Sequence, residues 1–166
     1  YNEVGYIGII KNGETGRSLE AIVEELLLDA GYAPSDFELS ALSDVIVDGY
    51  SLNRQISTYN ALQPLQFLEP FDLVERDGRL TAQKHGYGAQ IDIDEAEVLD
   101  EQPLIESFVE TLELPVEVSV NYLDATRSYE VGSQRAKRSA SYGAREVGGL
   151  NLPLVCTAEI AKQLAE

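Results

Sequence analysis

The 166-residue sequence has no methionine, no tryptophan, one cysteine and one histidine. Lys and Arg number 12 against 29 Asp and Glu, a formal net charge of −17. Each shortage excludes something. A single cysteine cannot build an intrachain disulfide framework or a cysteine-based zinc finger. So few cations argue against an electrostatic grip on nucleic acid or on an anionic membrane, which both need clustered Lys and Arg. Apolar runs stop at about five residues, far short of the ~20 that cross a bilayer, so no membrane insertion is expected of this segment. No signal peptide is visible. With Tyr at position 1 and no Gly or Pro closing the helical pattern of residues 157–166, we expect a piece excised from a larger multidomain protein.

What is present suffices for a core. Apolar residues make up 44% and charged residues 25%, which suits one domain or two small ones sharing a core. Tyr6–Ile10 is a β-like run before the Lys11-Asn12-Gly13 turn signal. Ser18 to Ala30 is the clearest helix: Leu19, Ile22, Val23, Leu26 and Leu27 share one face, Ser18 can cap it, and Gly31 stands at its C-terminal cap. Val45–Val47 reads as a short strand ending at Asp48-Gly49-Tyr50. A second helix over 57–68 contains Pro64, which predicts a kink or two short pieces. Residues 71–83 read as a hairpin around Asp77-Gly78, a type I′ signal.

Beyond 84, residues 90–94 suggest a strand and 94–99 a helical turn. Residues 116–122 alternate with period two, and 129–141 are their expected partner beyond an Asp124-Ala125-Thr126 turn. Residues 150–154 form another strand with an edge-type proline, and Thr157 caps a final helix whose stripe is Ile160, Ala161 and Leu164. The pattern predicts an α+β fold. Its helix–helix–hairpin first half covers 1–84. A mostly antiparallel β second half with a C-terminal helix covers 85–166, and the two form one integrated fragment.

The charge is segregated. Residues 85–126 hold 11 acidic side chains and no basic one, whereas 127–166 hold 6 basic and 4 acidic. Pairing of the strands around 116–137 would set acids and bases against each other across a ladder. Tyr122, Tyr129, Arg135, Lys137 and Arg138 are the candidate interface residues, because tyrosine at element edges buries a ring while its hydroxyl stays wet.

Catalytic and cofactor motifs are absent. His85 follows a strand with no G-x-S-x-G in the chain. Cys156 has no nearby histidine in sequence and suits a small buried apolar role. The acids from Asp92 miss the Gly that a calcium loop needs at its sixth position, where Glu97 stands. Residues 11–16 lack the Gly-Lys-Ser/Thr ending of a phosphate loop. No catalytic, cofactor or metal site is predicted. Two other classes stay open: a carbohydrate-active hydrolase using paired carboxylates, and a receptor-binding adhesion module.

Four stretches, in this order and spacing, carry a resemblance: Leu19–Gly31; Val47–Tyr50 leading to Ser57–Leu65; Phe71–Leu80; and Leu114–Tyr122 with Tyr129–Ala136. Together they resemble the tail-tip hub proteins of long-tailed phages and gene transfer agents, in particular their "putative phage tail protein" domain. The resemblance implies a non-enzymatic structural role in a baseplate hub, made in the bacterial cytoplasm and residing at the virion's tail tip. It further implies a homotrimer that closes the tail tube. The implied neighbours are the distal tail protein, the tape-measure protein and tail fibre or receptor-binding proteins. DNA would pass through the lumen without specific binding, and an acidic wall would weaken its adsorption.

Overall fold

The structure, a computed structural model, describes residues 3–4, 8–9, 16–53, 55–86, 116–137 and 147–166. The expected turn at 11–13, the strand at 90–94, the helical turn at 94–99, most of the acidic strip, and Arg138 lie outside the described residues. In chain order the strands are β1 (Glu3–Val4), β2 (Gly8–Ile9), β3 (Arg17–Ser18), β4 (Phe37–Glu38), β5 (Ile46–Val47), β6 (Gly49–Ser51), β7 (Ile56–Ser57), β8 (Phe71–Arg76), β9 (Arg79–Lys84), β10 (Glu117–Asp124), β11 (Glu130–Lys137) and β12 (Val147–Val155). The helices are α1 (Leu19–Asp29), α2 (Thr58–Leu68) and α3 (Ala158–Ala165). The fold is α+β.

Among the described residues the largest sheet has five strands in the order β11-β10-β12-β6-β2. Its pairs are antiparallel except β10 with β12. A three-stranded sheet, β4-β9-β8, joins the antiparallel β8–β9 hairpin to a parallel β4. One cluster of buried side chains runs from α1 through Tyr50 and α2 into the large sheet and α3.

The helices follow local chemistry. The Ser18 hydroxyl accepts from the Ala21 N–H at 3.3 Å, and Leu19, Ile22, Val23, Leu26 and Leu27 are buried, as their spacing predicts. At the other end the Gly31 N–H donates to the Leu28 carbonyl and the Tyr32 N–H to the Leu27 carbonyl, with Gly31 at φ +93°. This is a Schellman closure, in which glycine meets the left-handed conformation without a Cβ clash. Thr157 caps α3 by accepting from the Ile160 N–H at 3.4 Å, and Ala161 and Ala165 are buried where α3 crosses β10 and β11.

Three expectations are corrected. First, α2 does not divide into two short pieces but runs through Pro64 as one helix. Proline there removes the hydrogen bond to the Asn60 carbonyl. The turn is held instead by burial of Ala61, Leu62 and Leu65 and by the Tyr50 hydroxyl, which donates to the Ala61 carbonyl at 2.6 Å. Second, Asp48-Gly49-Tyr50 does not end the strand structure: the chain bends at Asp48, passing from β5, paired with β3 in a separate two-stranded sheet, into β6, which joins the large sheet against β12 and β2. Third, Pro153 is not on an edge strand, since β12 lies between β10 and β6. The β10–β12 register breaks between Asn121–Asn151 and Leu123–Val155, and Pro153 falls inside that irregularity. A bulge spares it the ladder hydrogen bond that it cannot make.

The β8–β9 turn is as its residues predict: Asp77 and Gly78 both have positive φ, +54° and +76°. Replacing Gly31 by Ala puts a Cβ into a left-handed residue and should destabilise the chain by about 1 kcal/mol. Urea denaturation followed by circular dichroism measures this; an unchanged midpoint would show that the closure contributes nothing.

Candidate interaction surface

The face built by β10 and β11 holds most of the candidate residues. Successive strand residues alternate between faces, and register partners share one. Tyr122 pairs with Gly132, and a Cβ on Gly132 would lie 2.6 Å from the tyrosine ring. The ring therefore lies over the glycine, and Tyr122 is only 3% exposed. Tyr129 is half-buried at the hairpin tip, with φ +63° next to Ser128 at +56°. The tip is pinned by the Asp124 carboxylate, which accepts from the Thr126 N–H at 2.9 Å and its hydroxyl at 2.6 Å.

Val131, Ser133, Arg135 and Lys137 lie exposed along the other face of β11. They register with Leu123, Asn121, Ser119 and Glu117. Arg135 reaches Glu117 diagonally at 3.3 Å, so one cross-ladder acid–base pair forms here, and Arg127 pairs with Glu130 at 3.1 Å near the tip. Exposed pairs of this kind contribute under about 1 kcal/mol each. β11 is the sheet edge among the described residues. Structure thus brings Arg135 and Lys137 to one surface and places Tyr122 inside the core.

Two grooves are present, and Tyr122 and Val131 both line the larger one. A groove of about 540 Å³ runs along the Pro153 irregularity, where Asn53, Asn60, Asn121 and Asn151 meet Ile56 and Leu123. Within it the Asn121 amide donates to the Asn151 side chain at 2.7 Å. A second groove, about 340 Å³, lies between the end of α1, the start of α2 and the hairpin. Tyr32 and Tyr59, at its lip, are 41% and 65% exposed. Sequence reasoning missed this groove. Its signal was faint: one tyrosine just past the glycine that ends α1, another in the first turn of α2.

The Cys156 thiol is buried, and its pKa is pushed up to about 11, first by burial and then by Asp48 and Asp124. Glu38, Asp44 and Asp124 all sit below the usual carboxylate range, chiefly through side-chain hydrogen bonds from Ser40, Lys84 and Thr126 respectively. His85 makes a 2.7 Å contact with Asp72, both exposed at the base of the hairpin. Among the described residues no group of three His, Cys, Asp or Glu side chains could hold a metal ion, and no helix is long and apolar enough to cross a membrane.

Residues 57–166, from the start of α2 to the end of α3, match the family described as "Putative phage tail protein". The chain belongs to this family. It is the family that the resemblance pointed to, and the stretches from Ser57 onward fall within the match. No curated protein matches the sequence. Among solved structures the fold is similar to a chain of "Virion of native gene transfer agent (GTA) particle", with a TM-score of 0.67 and 23% identity. The likeness covers 89% of this chain and 34% of the other, so the chain spans about a third of that protein's length.

Two measurements check the electrostatics. Asp44 has its folded-state pKa lowered. Its contribution is therefore present above its unfolded pKa of about 3.9 and is lost as pH falls through the lower folded value. Asp44→Asn should lose less stability than the unmutated chain between about pH 6 and pH 3; parallel losses would show that the Lys84 contact carries no linkage. Cys156 should react with iodoacetamide at pH 8 only after urea is added, because the nucleophile is the thiolate. Rapid alkylation of the folded chain would contradict its burial.

Proposed function

We propose that this chain is a non-enzymatic structural domain of a phage-like tail-tip hub, part of the baseplate that closes the tail tube and anchors host-recognition parts. The family match over 57–166 carries the reading. Likeness to a chain whose printed title is a gene transfer agent virion supports the virion setting. Packing supports a structural role: one buried cluster draws on both 1–84 and 85–166, so we treat the two as a single rigid unit within a longer protein. In this reading the hub is a homotrimer at the tail tip. It contacts the distal tail protein, the tape-measure protein and the tail fibre or receptor-binding proteins. No cofactor takes part, and DNA passes without specific contact because the chain is strongly acidic overall.

Gold-labelled antibody against residues 1–166 tests the reading on particles purified from the encoding cells. Label confined to the end of the tail is expected. Label along the tail shaft or on the capsid would reject the hub position, and unlabelled particles would reject the virion role.

A further inference from the structure

The groove between α1, α2 and the hairpin is lined by Leu27, Tyr32, Tyr59, Leu62, Leu73 and Leu80, with Ser57 and Thr58 as its polar members. None of the described lining residues is charged, although a quarter of the chain is. Depletion of charge around exposed tyrosines is the composition of an interface centre. Its surroundings are acidic. Glu75 is the register partner of Leu80 and shares its face, and Glu24 lies one helical turn before Leu27. The described cations of this half do not offset them. Arg17 and Lys84 are engaged by Glu25 and Asp44, while Arg76 and Arg79 pair on the opposite face of the hairpin from Leu73 and Leu80.

The complementary surface is on the same chain. Val131, 66% exposed, stands on the face of edge strand β11 that also carries Arg135 and Lys137. The Arg135 side chain is 70% exposed even with its Glu117 contact. An apolar knob followed by two cations matches an apolar socket rimmed by carboxylates. We infer that the Val131 face of β11 seats in the Tyr32–Tyr59 groove of a second copy, head to tail. The inference rests on the reading of the chain as an assembly subunit and names the two surfaces that would join. Each copy keeps one socket and one knob free after the first contact, so the contact propagates, closing a ring if the rotation allows.

Two variants at exposed positions test it: Tyr59→Glu blocks the socket and Val131→Glu blocks the knob, with circular dichroism confirming that each still folds. In sedimentation velocity the unmutated chain should gain mass with concentration, more weakly at high salt. Each variant alone should stay monomeric. An equimolar mixture should form a dimer and stop there, because only one socket and one knob remain functional. If Val131→Glu misfolds, the double replacement Arg135→Glu, Lys137→Glu takes its place. An unmutated chain that is monomeric at about 100 µM, a mixture that stays monomeric, or single variants that associate like the unmutated chain would each overturn the inference. Tail-end labelling together with a silent mixture would remove this contact and leave the hub reading standing.

Discussion

The hydroxyl of Tyr50 donates to the Ala61 carbonyl at 2.6 Å from a side chain with no exposed surface. An unpartnered phenol at that depth would carry a desolvation cost of about 1–3 kcal/mol, so the ring can sit in β6 only if α2 passes beside it. The same residue pairs with Leu154 and Ile9 in the large sheet. Tyr50 thus fixes where α2 lies relative to that sheet, and burial drives its phenol pKa further up, which keeps it neutral and donating. Pro64, which weakens α2 from within, is tolerated one turn from this contact.

What was legible in the sequence was whatever local chemistry decides. The α1 stripe, its Ser18 cap, the glycine that closes it and the Asp77-Gly78 turn depend on a few neighbouring residues, and all are found. The period-two run at 116–122 likewise became β10, with β11 as its hairpin partner. Pairings between distant segments were not legible. The parallel β10–β12 ladder, the entry of β6 into the large sheet and the contact of β4 with β9 are set by burial on both faces, which no local pattern announces. Pro153 misled for the same reason: a proline signals a missing donor, and either a free edge or a bulge meets that need.

The surface was half legible. Charge segregation pointed to β10 and β11, and Arg135 and Lys137 stand there exposed. The tyrosines were harder. Tyr122 and Tyr59 look alike in sequence, yet one lies over Gly132 in the core and the other stands at a groove. Only the glycine directly opposite on the neighbouring strand, ten positions on in the chain, separates the two outcomes.

The placement of β12 has a consequence for how the chain assembles. Leu154 and Val155 pair with Tyr50 and Gly49, about a hundred positions earlier, while β10 must already flank them on the other side. Among the described strands of the large sheet, the central one is therefore the last to leave the ribosome. Until it arrives, β6 has no neighbour on that side and the apolar faces of β10 and α2 stay wet. Such high contact order makes closure of this sheet late and slow, and exposes the β10 and α2 apolar surfaces for as long as β12 is missing.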